Sequence, residues 1–137
     1  MQGTTFDVDV IAAGRGRTTS YADGAVIYRR GERGDCAHIV ARGRVRIGDA
    51  MPLELLLPGE IFGELSLLDD GRRAASAQAV GQTEVIAIDR PLFNALLRDD
   101  PDFAETLMRL MVRRLRATLA MLDRAAEKEG AGLRAMA

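Results

Sequence analysis

From Thr18 to Ile88 the apolar residues fall in short runs divided by glycine-containing turns: Thr18 to Tyr21, Ala25 to Tyr28, Cys36 to Ala41, Gly43 to Ile47, Leu53 to Leu57, Ala74 to Val80 and Thr83 to Ile88. Short runs rich in Val, Ile and Leu between turn signals read as strands. Seven or eight of them in about seventy residues predict a mainly β body, a jelly-roll β-barrel. At Asp89 the period lengthens. Asp89 is placed to cap a short helix with Pro91 in its first turn, and Asp100-Pro101 to cap a longer one reaching about Glu127. On the long helix Phe103, Leu107 and Leu110 share one face, suited to packing on the β body. A second stripe, Met108, Met111, Leu115, Thr118, Leu122 and Ala125, has the 3-4-3-4-3 spacing of a helix seam that seeks a partner helix. The expected organisation is an N-terminal segment (1–17), the β body (18–90), C-terminal helices suited to dimerisation (91–130) and a tail (131–137). Phe6 to Ala13 reads equally as a short helix or a strand, broken by Gly14-Arg15-Gly16.

Composition narrows the class. Hydrophobic residues make up 47% of the 137 and charged residues 28%, ordinary for a globular domain with an adequate core. Fourteen glycines, above the usual share of about 7%, suit a fold with many tight turns. The formal charge of −1 exerts no general pull toward nucleic acid, and no apolar run of the ~18 residues needed to span a bilayer is present. Neither a basic segment nor an apolar stretch opens the chain, so no secretory signal is read, and a single cysteine, Cys36, suits a reducing compartment. A cytoplasmic protein is expected.

The candidate chemistry lies in Gly59-Glu60-Ile61-Phe62-Gly63-Glu64-Leu65-Ser66-Leu67-Leu68, followed by Arg72-Arg73-Ala74-Ala75-Ser76. Gly63 lets a ligand approach the backbone, and Glu64 to Leu68 reads as one helical turn whose free N–H groups face an anion. Arg73 supplies a guanidinium fork for a phosphate, each charge-assisted hydrogen bond being worth roughly 1.5–3 kcal/mol. Glu64 would repel a phosphate and is suited to accept a hydrogen bond from a sugar hydroxyl. One anion and one diol describe a nucleotide.

These residues resemble the phosphate-binding cassette of the cyclic-nucleotide-binding domain found in catabolite-activator-type regulators, kinase regulatory subunits and nucleotide-gated channels. The family pattern F-G-E-[LI]-[AS]-L is met by Phe62, Gly63, Glu64, Leu65, Ser66 and Leu67, and R-[AST]-A-[ST] by Arg73, Ala74, Ala75 and Ser76. The turns Ala22-Asp23-Gly24, Gly31-Glu32-Arg33-Gly34-Asp35, Ala41-Arg42-Gly43-Arg44-Val45 and Leu57-Pro58-Gly59 follow in family order, so the resemblance runs from about Thr18 to Leu122. It implies a cyclic-nucleotide sensor whose ligand state shifts the C-terminal helix, with Ser76 as a secondary phosphate contact. In the family's kinases a threonine directly after the arginine goes with cGMP; here that position is Ala74, so cAMP is expected over cGMP, its base resting on apolar side chains such as Val45 or Leu57. In catabolite-activator-type regulators the helix after the roll pairs with its twin, and Arg113-Arg114-Leu115-Arg116-Ala117-Thr118 resembles that segment; Thr118 is then a purine contact and the chain a homodimer. Leu119 departs from the second hydroxyl often found there. Only Ala131 to Ala137 follow Gly130, too short for a helix-turn-helix, so no DNA binding by this chain itself is expected.

Plainer readings stand beside these. Glu64 can simply pair with Arg73 in a β-roll that serves only as an interaction or dimerisation module, or the chain can be the sensor half of a transcription regulator. Arg72 is assigned to the solvent side. Arg109, Arg113, Arg114 and Arg116 read as a solvated helix face or a dock for an acidic protein partner. Cys36 and His38, two apart in a strand, point to one face, but two ligands make a poor metal site and no metal is expected. Gly14 to Gly16 and Gly31 to Gly34 read as turns. With one histidine and no recognisable catalytic constellation, the chain is not read as an enzyme.

Overall fold

The computed structural model of the chain describes residues 5–9, 11, 16–49, 52–69 and 71–136. Six strands form one antiparallel sheet: β1 (Arg17–Tyr21), β2 (Val26–Tyr28), β3 (Cys36–Gly48), β4 (Pro52–Leu56), β5 (Ile61–Phe62) and β6 (Ala77–Asp89). After β5 come the helices α1 (Leu65–Leu68), α2 (Arg90–Asp99) and α3 (Pro101–Met136). The strand count is lower than the sequence pattern suggests because two pairs of expected strands are continuous. Cys36 to Ala41 and Gly43 to Ile47 join into β3, while most of the two runs flanking Gly81 joins into β6. Gly43 and Gly81, at φ +80° and +74°, turn the chain without ending it.

The β3–β6 ladder is the spine. Its register shifts around Arg42, dividing it into two halves. On one half β6 pairs with β1 and β3 with β5; on the other β6 pairs with β2 and β3 with β4. Both faces of the spine are covered, so neighbouring apolar residues go to opposite sides. Ile39, Ile61 and Ile86 pack with Phe93, Phe103, Leu107 and Leu110 beneath the helices. Val40, Phe62 and Val85 pack with Val45, Leu56 and Ala77 inside the roll, beside Tyr28.

The helix starts follow their caps. Asp89 accepts a hydrogen bond from the Leu92 amide at 2.9 Å, and Asp100 accepts from Asp102 and Phe103 at 3.1 and 3.2 Å. Phe103, Leu107 and Leu110 are buried as their spacing indicates, but α3 runs to Met136, past the end expected near Glu127. In the N-terminal segment Val8, Asp9 and Ile11 are helical. Phe6 and Ile11 are buried in the helix-side core, and the Phe6 amide donates to Gly59 O at 2.6 Å, contacts the sequence did not disclose. The expected break at Gly14-Arg15 lies outside the described residues.

Of the expected seam, α3 exposes Met108, Leu115, Thr118, Leu122 and Ala125, while Met111 is half-buried. Exposed apolar residues run Met108, Val112, Leu115, Leu119 and Leu122, the same heptad spacing in a different register. Met111 turns toward the helix-side core, and the exposed Thr118 donates its hydroxyl to Arg114 O at 2.9 Å. The two registers share Met108, Leu115 and Leu122, so spacing alone did not separate them; the inward pull of Leu107, Leu110 and Met111 does.

Candidate functional site

Arg73 is held from two directions. Its backbone is locked to the loop before β3: Arg73 N donates to Glu32 O and Gly31 N donates to Arg73 O, each at 2.8 Å, while Gly34 N donates to Gly71 O at 2.7 Å. Its side chain then turns inward and is 6% exposed. Nη1 donates to Gly63 O and to Ser66 Oγ, both at 2.9 Å, and the guanidinium lies 4.1 Å over the Tyr28 ring, a cation–π contact. Two glycines make room. A Cβ at Gly34 would sit 2.2 Å from Arg73 Nε, and one at Gly63 2.6 Å from Nη1.

Among the described residues no carboxylate pairs with Arg73, and its buried Nε has no hydrogen-bond partner. A buried guanidinium needs counter-charge or full hydrogen bonding to offset its desolvation. The group therefore keeps charge and one donor that no described residue uses.

Glu64, 1% exposed, is the matching buried acid. β5 positions it: the His38–Phe62 and Ile39–Ile61 pairing fixes the chain, Gly63 turns at φ +76°, and Glu64 opens α1, with Leu67 N donating to its carbonyl at 3.0 Å. Its carboxylate does not pair with Arg73, as the plainer reading had it. It pairs with Arg114 of α3, which also donates to Ile61 O at 2.7 Å and lies 3.4 Å from Glu54. Arg113 reaches Glu54 and Glu60. Arg114 is thus drawn out of the expected solvated face, while Arg113 stays exposed at its edge, because α3 lies against three acidic side chains that the sequence scatters over eleven residues. Burial pushes the Glu64 carboxyl above its usual range, and Arg114 opposes that rise.

Other expected residues fall around this pair. Phe62 is buried and stacks on His38 at 5.1 Å between ring centroids. Ser66 is buried, its hydroxyl donating to Gly63 O at 2.9 Å while accepting from Arg73. Leu65 and Ala74 are exposed and Ala75 half-buried. Ser76, expected as a phosphate contact, has its hydroxyl engaged by Asp49 and by the Arg30 amide. Arg72 is exposed and donates to Gly31 O at 3.1 Å. Val45 is fully enclosed in the roll's core, whereas Leu57 is half exposed.

Tyr28, Gly34 and Arg114 were not singled out for the site by sequence reasoning. Gly34 and Arg114 carried a signal, as members of a glycine cluster and a basic set, but their target was visible only in three dimensions. The single histidine, His38, is buried and held neutral, its pKa lowered to about 4 by burial and by the neighbouring Arg73. No group of residues suited to a metal ion occurs among those described, and no described helix is long and apolar enough to cross a membrane.

Chemically, the arrangement offers a preformed cation for one anion and a buried carboxylate acceptor for a hydroxyl, nine residues apart in one stretch of chain. Gly34 and Gly63 make room for the arginine itself, and its spare Nε is the donor left over.

Comparison with known proteins agrees with this chemistry. Residues 18–100 match the family model described as the cyclic nucleotide-binding domain. The chain is 44% identical over 109 residues to the cyclic AMP receptor protein of Thermus thermophilus, covering 75% of this chain and 50% of that protein. The solved catabolite activator protein of the same organism superposes with a TM-score of 0.76 at 39% identity, over 87% of this chain and 58% of that one. A structure from work on a cyclic-GMP-dependent signalling pathway in bacterial phytopathogenesis gives a TM-score of 0.70 at 32% identity, over 82% and 96% of the two chains. The chain spans about half the length of the curated relatives it matches.

Proposed function

The chain belongs to the cyclic nucleotide-binding domain family, and we propose that it acts as a regulatory module, not an enzyme, that binds cAMP in preference to cGMP. Arg73 takes the cyclic phosphate and Glu64 the ribose hydroxyl, with Phe62, Gly63, Leu65, Ser66, Ala74 and Ala75 shaping the turn between them. The observation that carries this reading is the buried Arg73 guanidinium, which has no carboxylate partner among the described residues and an unpartnered Nε. A single negative phosphate matches one such cation. The base preference rests on Ala74, which has no hydroxyl to offer a guanine amino group, and on the likeness to a relative named for cyclic AMP.

Residues 91–130 form the output and pairing element, and the molecule is a homodimer joined along Met108, Val112, Leu115, Leu119 and Leu122. Ligand reaches this helix through Glu64. A ribose hydroxyl donating to that carboxylate competes with Arg114, so nucleotide affinity and helix position are linked. The linkage is real only in so far as nucleotide binds the two helix positions with different affinity. Thr118 meets the purine after giving up its bond to Arg114 O.

A second reading, a β-roll that works only as an interaction module, draws support from the internal engagement of Arg73 with Tyr28 and of Glu64 with Arg114. Thermal denaturation with cAMP, cGMP and 5′-AMP separates the two. The sensor reading expects a rise in Tm with the cyclic nucleotides, larger for cAMP; no rise with either, from a folded protein, selects the interaction module.

A further inference from the structure

Resting on the reading of Arg73 as the phosphate-binding group, we propose that Cys36 is a modification site, where oxidation of the thiol by a peroxide sets a sulfinate anion against the Arg73 guanidinium and shuts out the nucleotide. The sulfur lies 3.9 Å from Arg73 Nη2 and 3.5 Å from His38 Nε2. These two neighbours are 6% and 8% exposed, and each leaves a nitrogen without a partner among the described residues, Arg73 Nε and His38 Nδ1. Cys36 itself is only partly buried, so a small oxidant reaches it. The site therefore combines an oxidisable sulfur, a buried cation with no ion-paired carboxylate among the described residues, and buried nitrogens left without partners.

The chemistry runs in two steps. The thiol releases its proton to solvent and the thiolate sulfur attacks one peroxide oxygen. The S–O bond forms as the O–O bond breaks, the sulfur loses two electrons, and the departing hydroxide takes up a proton to become water. Because Cys36 is the chain's one cysteine, the sulfenic acid finds no second thiol in the same chain with which to form a disulfide. A second peroxide repeats the step, giving sulfinic acid and another water. At neutral pH the sulfinic acid sheds its proton and becomes the anion. It then presents Arg73 with the charge a phosphate would bring, from a covalent attachment. Burial, with the adjacent Asp35 carboxylate, holds the thiol above its usual pKa against the opposing pull of Arg73, so thiolate is scarce and the site answers a sustained oxidant, not a brief pulse.

The test uses hydrogen peroxide, quenched with catalase, with the state of Cys36 read by mass spectrometry and cAMP affinity by isothermal titration before and after. The sulfinate form is expected to bind cAMP at least about tenfold more weakly, a change of ~1.4 kcal/mol, and saturating cAMP to slow Cys36 oxidation. Cys36→Ser, whatever its own affinity, is expected to keep that affinity through the treatment, which separates the effect from methionine oxidation. Equal affinity of the reduced and sulfinate forms, a thiol that survives peroxide, or an equal loss in Cys36→Ser would overturn the inference. A reduced protein that binds no cAMP would overturn the nucleotide reading itself and this inference with it.

Discussion

Glu64 and Arg114, fifty residues apart in sequence, meet in an ion pair in which the carboxylate is 2% exposed and the guanidinium 24%. The cassette turn is thereby tied to the C-terminal helix at the same carboxylate that a sugar hydroxyl would approach. Removing one partner leaves the other charge buried and uncompensated. Arg114→Ala is expected to destabilise the fold by about 2–4 kcal/mol, less than the ~3–5 kcal/mol of a fully enclosed pair because Arg114 keeps some solvent. Urea unfolding measures this, and an unchanged midpoint would show that the pair contributes nothing.

Gly34 offers a cleaner probe of Arg73 than Arg73 itself. Its φ is not in the left-handed region, so alanine is tolerated by the backbone, but the new methyl would meet Arg73 Nε at 2.2 Å. The methyl also meets Ser66 Oγ at 2.7 Å, and the flexible end of the arginine has to swing aside, which misplaces the guanidinium. Gly34→Ala should stay folded with a lowered Tm, since Arg73 leaves Gly63 O, Ser66 and Tyr28, and lose cAMP affinity by about tenfold or more, equivalent to ~1.4 kcal/mol. Wild-type affinity in this variant would mean that the position of Arg73 does not matter to the ligand.

His38 gives a pH signature. Its folded pKa is lowered from 6.5 to about 4, so between those values the unfolded chain binds a proton that the native state refuses. Stability is then full above about pH 6.5 and falls as the pH drops through the folded value, by about 3 kcal/mol in all. Denaturant curves from pH 7.5 to 4 should show a shallower decline for His38→Phe, which keeps a ring against Phe62, than for wild type. As the chain's one histidine, its imidazole can also be titrated by NMR without ambiguity; protonation near pH 6.5 would refute the assignment.

The stripe on α3 distinguishes two registers. Leu119 is 55% exposed, whereas Met111 packs toward the core. Leu119→Glu should convert a dimer to a monomer in sedimentation velocity without lowering the stability of the subunit, and Thr118→Ala should leave the dimer intact. A wild-type protein that sediments as a monomer at every concentration would remove the dimer from the account.

What the chain disclosed at the level of sequence follows from what local chemistry can encode. Short apolar runs, glycine turns and the caps at Asp89 and Asp100 report on neighbours within a few residues, and these features reappear in the fold. The meeting of Gly63, Ser66 and Arg73 was legible for the same reason, since they lie within one continuous stretch. Continuity of β3 and β6 was not legible because Gly43 and Gly81 signal a turn equally well whether the strand stops or bends. The partner of Glu64 was hidden because Arg114 joins it only when α3 crosses the edge carrying Glu54 and Glu60. Arg114 is indistinguishable in sequence from the solvent-facing arginines beside it.

The measurement that bears most directly on the account is isothermal titration of wild type and Arg73→Ala with cAMP. Saturable binding by wild type, weakened at least about a hundredfold in the folded variant, is the predicted result and corresponds to about 3 kcal/mol, the range of one or two charge-assisted hydrogen bonds to the phosphate. Equal affinity of the two proteins, or no binding by wild type, would contradict a cyclic-nucleotide site built on Arg73.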